Sequence, residues 1–413
     1  MRRRRFLGAT AIGIAGAALA ASGGQRSPGG GVIESERSTR ERTDGERLRL
    51  FLCGDVMTGR GIDQILPHPS LPEIHEAYLT SAEQYIQVGE RISGPIPRGV
   101  DYAYVWGEAL SRLEAAAPDL RIVNLETAVT TSDDYWPGKG IHYRMHPANL
   151  PVLAAAGIDC CALANNHVLD WGYRGLQDTL EALHENGIRT AGAGADLDAA
   201  AAPAVLGYGA GRRLLVFAVG HTSSGIDEAW QAGPARQGVW WLDELSPAGI
   251  DAVARRVQAA RRPGDIVLLS LHWGGNWGYG IARRTRDFAH ALVDHAGVDL
   301  VHGHSSHHPL GIEVYRHKLI LYGCGDFIND YEGIRGNEQY RDDLRIMYLP
   351  DLDPSTGRLL ALEMAVFQSH RFRLRTASAG DVQWLAGELN RESQRLGGAA
   401  IAVSDRGLVL RWD

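Results

Sequence analysis

The chain has 413 residues, 45% of them hydrophobic and 22% charged, which is typical of a soluble globular protein of one to three domains. Its formal net charge is −7, and without the four arginines of residues 1–21 the remaining 38 basic and 49 acidic residues give −11. This balance argues against a general nucleic-acid binder, because neutralising phosphates requires a basic surface.

The first 21 residues have the composition of an export signal. Arg2–Arg5 precede an apolar stretch of about 15 residues that ends in the small residues Ala18–Ala21. The order of residues in Arg3–Leu7 resembles the twin-arginine signal, whose cargo crosses the membrane already folded. We therefore expect an exported protein, located outside the cytoplasm or at the cell surface. The alternative is an N-terminal anchor that is not cleaved.

Residues 22–46 are rich in Gly, Ser and charged residues without hydrophobic periodicity, which predicts a disordered linker. We expect a single folded domain over residues 47–413. In its first part, the segment Pro67–Asp101 contains prolines, tyrosines and few periodic apolar residues. This composition favours a long lid-like loop.

Short apolar runs alternate with helical patterns along the rest of the chain, and this alternation predicts an α/β sandwich. The predicted buried strands are Leu48–Cys53, Arg121–Leu125, Ile158–Leu163, Leu214–Val219, Ile266–Leu271, Asp299–Val301 and Leu319–Tyr322. The predicted helices are Gly172–Asn186, Pro247–Arg262 and Thr285–Ala296. The runs Leu344–Leu349 and Leu359–Phe367 follow without intervening helices, and we expect them to add antiparallel strands.

Cysteine and lysine are both rare in this sequence. The four cysteines lie in apolar runs and form no C-x-x-C pair, so we interpret them as small core residues and not as disulfide or zinc partners. Lys139 and Lys318 are the only lysines. We interpret the predominance of arginine as codon bias and not as recognition chemistry.

Polar side chains able to bind a metal follow five of the predicted strands, at the point where each strand ends. Ligands of an open α/β sheet bind beyond the carboxyl ends of its strands, so we expect these side chains to converge on one site. They are Asp55, Glu126, Asn166, His167, His272, His304 and His307.

The residue types suit a centre of two divalent ions. Two such ions about 3.5–4 Å apart need a bridging carboxylate together with nitrogen and oxygen ligands. Either Asp55 or Glu126 can bridge, and Asn166 can offer a carbonyl oxygen. The histidines suit ions such as Zn, Mn or Fe, and Ca is a further candidate. His167 need not bind metal, because a histidine can act as an acid or a base near neutral pH.

The segment from Arg49 to Asp330 resembles the CapA family of poly-γ-glutamate capsule biosynthesis proteins. The matching motifs are GDVMTGR (54–60), VNLETAVT (123–130), AGIDCCALANNHVLDWG (156–172), HWG (272–274), GHSSH (303–307) and YGCGDF (322–327). The resemblance implies a metallophosphatase-like layered α/β/β/α sandwich with mixed sheets. It further implies that His167 is the acid/base and that the metal ligands are Asp55, Glu126, Asn166, His272, His304 and His307.

The sequence departs from the family pattern at three positions. Asn276 stands where the family usually has an acidic residue, and Asp326 replaces the asparagine of a G-N-F motif. Met57 stands where the related phosphatases have a histidine ligand.

Several further residues are candidates for the substrate side of the site. We expect Asn276 and Asp326 to contact substrate. Arg60 and Arg144 can hold an anionic group, although solvated surface arginines are an equal alternative. Asp170 can orient His167 or can cap the helix that follows.

The histidines of residues 302–308 are too many to be ligands together. His302 and His308 are therefore interpreted as structural or as supports of the ligands.

The leading functional hypothesis is an exported metal-dependent hydrolase linked to poly-γ-glutamate or another cell-envelope polymer. A metal-bound hydroxide would attack a phosphoryl or acyl centre while His167 protonates the leaving group. An anionic polymer or peptide would be the substrate, and nucleic acid would not.

Two alternatives remain open. The first is a metal-dependent peptide epimerase, in which His167 and a carboxylate such as Asp170 or Asp326 exchange an α-proton. The second is a non-catalytic component of a membrane-associated complex for polymer synthesis or export.

Overall fold

A computed structural model describes residues 47–209 and 211–412. The predicted export signal (1–21) and linker (22–46) lie outside the described residues. The α-helices are α1 (Arg60–Ile65), α2 (Glu83–Ser93), α3 (Ala109–Ala116), α4 (Pro151–Ala155), α5 (Gly172–Glu185), α6 (Leu197–Ala200), α7 (Pro247–Ala260), α8 (Arg283–His295) and α9 (Ala379–Gln394). A search of the described part of the chain finds no helix with both the length and the apolar character needed to cross a membrane.

The strands are short and numerous. They are β1 (Leu48–Cys53), β2 (Asp55–Val56), β3 (Leu120–Asn124), β4 (Ala128–Val129), β5 (Arg144–Met145), β6 (Cys160–Ala162), β7 (Arg189–Ala191), β8 (Ala193–Gly194), β9 (Ala204–Tyr208), β10 (Arg212–His221), β11 (Gly238–Val239), β12 (Trp241–Leu242), β13 (Ile266–His272), β14 (Leu300–His304), β15 (Ile312–Tyr315), β16 (Lys318–Leu321), β17 (Asp326–Ile328), β18 (Leu344–Leu352), β19 (Leu359–Ser369), β20 (Leu374–Thr376), β21 (Ala400–Ser404) and β22 (Gly407–Arg411).

Two mixed sheets contain most of these strands. The first has the order β21-β22-β19-β18-β1-β3-β6-β7, with β20 paired to β19. In it β1, β3, β6 and β7 run parallel, whereas β18 and β19 add antiparallel strands on the other side of β1. The second sheet has the order β12-β10-β13-β14-β16-β15, with β9 paired to β10. The predicted parallel strands and the added antiparallel strands near residues 344–369 are therefore confirmed.

The apolar residues divide between two cores that fix the layers. Val216 and Leu268 of β10 and β13 belong to the core that the second sheet shares with the first sheet and with helices α1 to α5. Phe217 and Leu269 point to the opposite face and pack with helices α7 and α8. This alternation follows from the two-residue period of a strand. The predicted layered α/β/β/α sandwich is confirmed.

The prediction of one long loop over Pro67–Asp101 is wrong in part. Helix α2 occupies Glu83–Ser93 and buries Tyr85, Ile86 and Gly89. The helix is hard to recognise in the sequence because its buried face is formed by a tyrosine, an isoleucine and a glycine, within a segment that also contains several prolines.

Aspartates at the amino ends of the parallel strands hold the register of the sheets. Asp159, just before β6, accepts the backbone N–H of Arg121 in β3 at 2.8 Å (N to Oδ2). Asp299, just before β14, accepts the N–H of Val267 in β13 at 3.0 Å (N to Oδ2). Each of these bonds fixes the start of one strand relative to the start of its neighbour. The carboxyl ends of the two strands are therefore also fixed relative to each other.

We expect Asp299→Ala to lower the free energy of unfolding by about 1–3 kcal/mol, because the Val267 N–H and the Lys318 ammonium lose a buried acceptor. Urea unfolding followed by circular dichroism measures the change. The control is Asp198→Ala, since Asp198 pairs with Arg256 but its side chain is 88% exposed. Equal changes in the two variants would contradict a register role for Asp299.

Candidate metal centre

The carboxyl ends of both sheets meet at one place. In the second sheet, β13 and β14 end in His272 and His304, which are register partners. In the first sheet, β1 is followed by Asp55, whose register partner in β17 is Asp326. Glu126 follows β3, and its backbone N–H bonds to the carbonyl oxygen of Val56. The strand-end rule thus brings side chains from distant parts of the sequence together.

Asp55 and His304 join the two sheets. The His304 Nδ1–H donates to Asp55 Oδ1 at 2.8 Å, and Asn124 Nδ2 donates to the same oxygen at 2.8 Å. Both partners are buried, with Asp55 1% exposed. Burial alone would raise the pKa of Asp55, but the hydrogen bond and charge of His304, the charge of His272 and a hydrogen bond from Glu126 together outweigh burial and hold the pKa below its usual range.

Glu126 lies between the Asp55 pair and a second pair of side chains. Ligand atoms of Asp55, Glu126 and His272 all lie within 4.8 Å of one another. His272 Nε2 lies 3.9 Å from Glu126 Oε1 and donates to Asn166 Oδ1 at 2.9 Å. Burial raises the pKa of Glu126 well above its usual range, and the Asp55 carboxylate adds to this effect. Burial also lowers the pKa of His272 to about 3, so this imidazole is neutral at pH 7.

The residues of this group fit divalent cations. Two buried carboxylates in contact repel each other unless a proton or a cation lies between them. Ligand atoms bound at about 2.0–2.2 Å and at right angles lie roughly 3 Å apart, close to the contacts of the Asp55–His304 and Asn166–His272 pairs. The nitrogens in these contacts are His304 Nδ1 and His272 Nε2, and each would present a lone pair to a bound ion in place of its proton. Neutral imidazoles, carboxylates and an amide oxygen are the donors that such ions prefer.

His307 lies at the edge of this group. Its Nδ1–H donates to Asp326 Oδ1 at 3.0 Å, and Asn329 donates to the other oxygen of Asp326 at 2.7 Å. Burial opposes protonation of His307, but the Asp326 carboxylate raises its pKa. Asp326, predicted to contact substrate, therefore lies behind His307 with both of its oxygens engaged.

His167 is the side chain best placed for proton transfer. Its Nδ1 lies 2.7 Å from Asp170 Oδ2, which directs Nε2 toward Glu126, 3.8 Å from Oε1. Tyr143 stacks on the imidazole with ring centroids 3.7 Å apart. Asp170 also accepts the backbone N–H of Tyr143 at 2.6 Å. Asp170 thus orients His167, and Asn165 bonds the loop by accepting the His167 N–H at 3.0 Å.

Lys139 is a site residue that the sequence analysis missed. Its ammonium contacts Asp170 and lies 3.1 Å from His167 Nδ1. Burial lowers the pKa of Lys139, against the effect of Asp170. Burial, and then the Lys139 charge, lower the pKa of His167 well below its usual range. The rarity of lysine in an arginine-rich chain was a usable signal, because an arginine here would present a larger, planar group.

A cavity of about 410 Å³ opens beside these side chains. The residues that line it include Glu126, Asn166, His167, His307 and Asn276.

The two predicted substrate arginines have other partners. Arg60 lines the cavity, but its guanidinium bonds to Asp330 and Glu76 and lies over the Tyr85 ring, 3.5 Å from its centroid. Arg144 is not brought to this cavity, and its guanidinium bonds to Asp133 at 2.7 Å instead.

His302 and His308 support the ligand loop, the segment 304–307 that carries the proposed ligands His304 and His307. The His302 Nε2–H donates to the carbonyl oxygen of Cys53 at 2.8 Å, and this bond ties β14 to β1. His308 Nε2 accepts the backbone N–H of Gly278 at 3.1 Å. Neither of these two hydrogen bonds involves a residue of the group around Glu126.

Comparisons with known proteins identify relatives of the chain. Residues 49–331 match the family described as "Bacterial capsule synthesis protein PGA_cap". A Mycobacterium tuberculosis protein named "Probable polyglutamine synthesis accessory protein" is 49% identical over 351 residues, 85% of this chain and 92% of that protein. The "PGA biosynthesis protein CapA" of Bacillus subtilis is 28% identical over 302 residues, 73% of this chain and 67% of that protein.

A solved structure of a novel phosphatase from Mycoplasma pneumoniae aligns with a TM-score of 0.40 and 11% identity, covering 78% of this chain and 93% of that one. A likeness at this level has no bearing on activity.

We expect His302→Gln to make the stability of the metal-free protein less sensitive to acid. Burial holds the pKa of His302 well below its usual range, so below about pH 6.5 the unfolded chain takes up a proton that the folded chain excludes. This contribution to destabilisation is absent above that pH and grows as the pH falls. Glutamine keeps the donor to Cys53 but does not titrate.

The slope of unfolding free energy against pH, measured by urea unfolding between pH 6.5 and 4.5, should decrease by up to about 1.4 kcal/mol per pH unit. An unchanged slope in His302→Gln would show that His302 is protonated in the folded state.

Proposed function

The chain belongs to the PGA_cap family of bacterial capsule synthesis proteins, and from this premise we propose that it is an exported, metal-dependent hydrolase acting on a polyglutamate-type envelope polymer. The observation that supports this proposal most is the buried group of Asp55, Glu126 and His272, because Glu126 lines an open cavity together with His167. The names of the relatives, which refer to polyglutamine synthesis and to PGA biosynthesis, support the substrate class.

The proposed ligands form two sets that share Glu126. Asp55 and His304 belong to one set, whereas Asn166 and His272 belong to the other. The proximity of Glu126 to both sets supports Glu126 as the bridging carboxylate, and His307 would complete the centre from the cavity side. Two divalent ions bound there would polarise an acyl or phosphoryl oxygen and supply a nucleophile at neutral pH.

His167 would act as the acid/base. Because burial and the Lys139 charge lower its pKa, the neutral ring would take up a proton at Nε2 from the attacking water and then pass it to the leaving group. Its Nδ1 is held by Asp170, so its Nε2 is the nitrogen directed at the cavity. Tyr143 and Asp170 fix the ring plane, which keeps the proton donor in one orientation during the reaction. Lys139 would hold negative charge that develops on the substrate, because it lines the cavity and its ammonium shares Asp170 with His167.

The relatives' names also support a second candidate, a non-catalytic accessory role in polymer synthesis. The metal group would then be structural. The epimerase alternative has less support, because inversion needs an acid and a base on opposite faces of the α-carbon. His167 and Asp170 are bonded to each other and act from one side.

Export is part of the proposal and is supported by the basic and apolar composition of residues 1–21. Transport of the folded protein would allow the metal to be bound before export.

We expect the purified protein to bind about two divalent ions per chain and His272→Ala to lose at least one of them. Elemental analysis after gel filtration measures the metal content. His184→Ala is the matched control, since His184 is exposed on α5 and bonds only to Thr190 among the described side chains. Metal loss in neither variant, or in both, would argue against the proposed centre.

We expect His167→Asn to lower kcat about 10²- to 10⁴-fold on γ-glutamyl peptides or phosphate esters while the metal content stays at the wild-type level. Kinetics of the metal-loaded variant against both substrate classes test this. If the metal-loaded wild-type protein cleaves neither class, the hydrolase proposal fails and the accessory role is favoured.

A further inference from the structure

A second cavity, of about 510 Å³, lies on the same edge of the second sheet. β10 ends in His221, next to Gly220, which is the register partner of the proposed ligand His272. Asp243 directly follows β12. Both side chains line this cavity. Polar side chains thus also lie at the carboxyl ends of β10 and β12, as they do at the strands that carry the proposed metal ligands.

Trp277 forms a wall shared by the two cavities. Its indole is stacked against Tyr340, with ring centroids 5.6 Å apart, and against His308 at 6.1 Å. The backbone on either side of it is also fixed. Gly274 N–H donates to Ser223 Oγ at 2.8 Å, and the Asn276 carbonyl accepts the N–H of His307 at 3.0 Å. The shared wall is therefore a rigid aromatic surface connected directly to the ligand loop.

The segment around Trp277 leaves its backbone open. A Cβ added to any of its glycines would meet no other atom within 4 Å, and these glycines are Gly274, Gly275, Gly278 and Gly280. The amides of Gly274 and Gly278 are bonded to Ser223 and His308, but the free space above the segment lets an extended chain lie across it from one cavity into the other.

Among the residues that line the second cavity, hydrogen-bond acceptors outnumber positively charged side chains. Its arginine, Arg284, is already bonded to Glu244 at 3.2 Å and to the carbonyl of Leu245 at 3.0 Å. Asp243 is exposed, and Ser223 occupies Nδ1 of His221. A carboxylate placed here would face Asp243, whereas a carboxamide N–H could donate to it.

We propose that this cavity binds the unit next to the reacting link of a polyamide substrate, and that this unit is an uncharged carboxamide. The inference rests on the proposed function, because it assumes that the cavity at the metal centre holds the reacting link. It assigns to the neighbouring cavity a choice between amidated and acidic units of one polymer.

The test compares γ-linked glutamate oligomers with their α-carboxamide counterparts of the same length. Calorimetry with the metal-loaded protein measures the affinity for one, two and four units. We expect the affinity for the carboxamide series to rise at least tenfold from one unit to four, and that for the carboxylate series to rise less than threefold. An equal or larger rise for the carboxylate series overturns the proposal.

Two variants locate the effect. In Gly275→Trp, a bulky side chain enters the open space between the cavities at a position without positive φ, and the gain with length should fall to less than threefold. Gly207→Trp is the control, because Gly207 is exposed on β9 with equally open space, and the tenfold gain should persist. A gain that persists in Gly275→Trp contradicts the proposal.

Asp243→Lys provides a test that does not depend on a bulky insertion. It should reverse the preference in favour of the carboxylate series, and an unchanged preference overturns the charge argument. Length-dependent binding without turnover would remove the hydrolase proposal but keep this subsite. Turnover without length-dependent binding would keep the hydrolase proposal but remove this subsite.

Discussion

The hydrogen bond between Asp55 and His304 is the interaction on which the site depends, because it joins the two sheets at their carboxyl edges. Asp55 follows a strand of the first sheet, and His304 ends a strand of the second. A second hydrogen bond, from His302 to the carbonyl oxygen of Cys53, connects the same two strands two residues before His304 and Asp55 in the chain. These two bonds align the strands so that Glu126 and His272 can meet, although they belong to different sheets.

The side chains around this junction carry more negative than positive charge, and a bound cation would balance the excess. Asp55 and Glu126 are buried in contact, and the neighbouring imidazole of His272 is neutral and adds no positive charge. The protein places its one nearby lysine, Lys139, beside Asp170 and His167 instead. The positive side chain therefore lies beside His167, the proposed proton-transfer residue, whereas the carboxylate pair would be balanced by the proposed metal. In this proposal, metal binding and proton transfer depend on different side chains and can be altered independently.

The sequence was sufficient to predict the position of the site but not its inner arrangement. Strand ends are visible as apolar runs followed by Asp, Glu, Asn or His, so the group around Glu126 was predictable. The rarity of lysine distinguished Lys139, but its place beside His167 was not predictable, because it lies in an irregular segment whose distance from His167 depends on tertiary packing. The partners of Arg60 were also not predictable, since its burial against Asp330 and Glu76 cannot be read from a GDVMTGR motif. The same limitation hid the role of Asp326, whose place behind His307 depends on the pairing of β17 with β2.

Anomalous diffraction from crystals grown with manganese or zinc is the most direct test of the central claim. The account predicts two peaks about 3.5–4 Å apart on either side of Glu126, one bound by Asp55 and His304 and the other by Asn166 and His272. A fully formed site without an anomalous peak, or a single peak bound elsewhere in the chain, would contradict it.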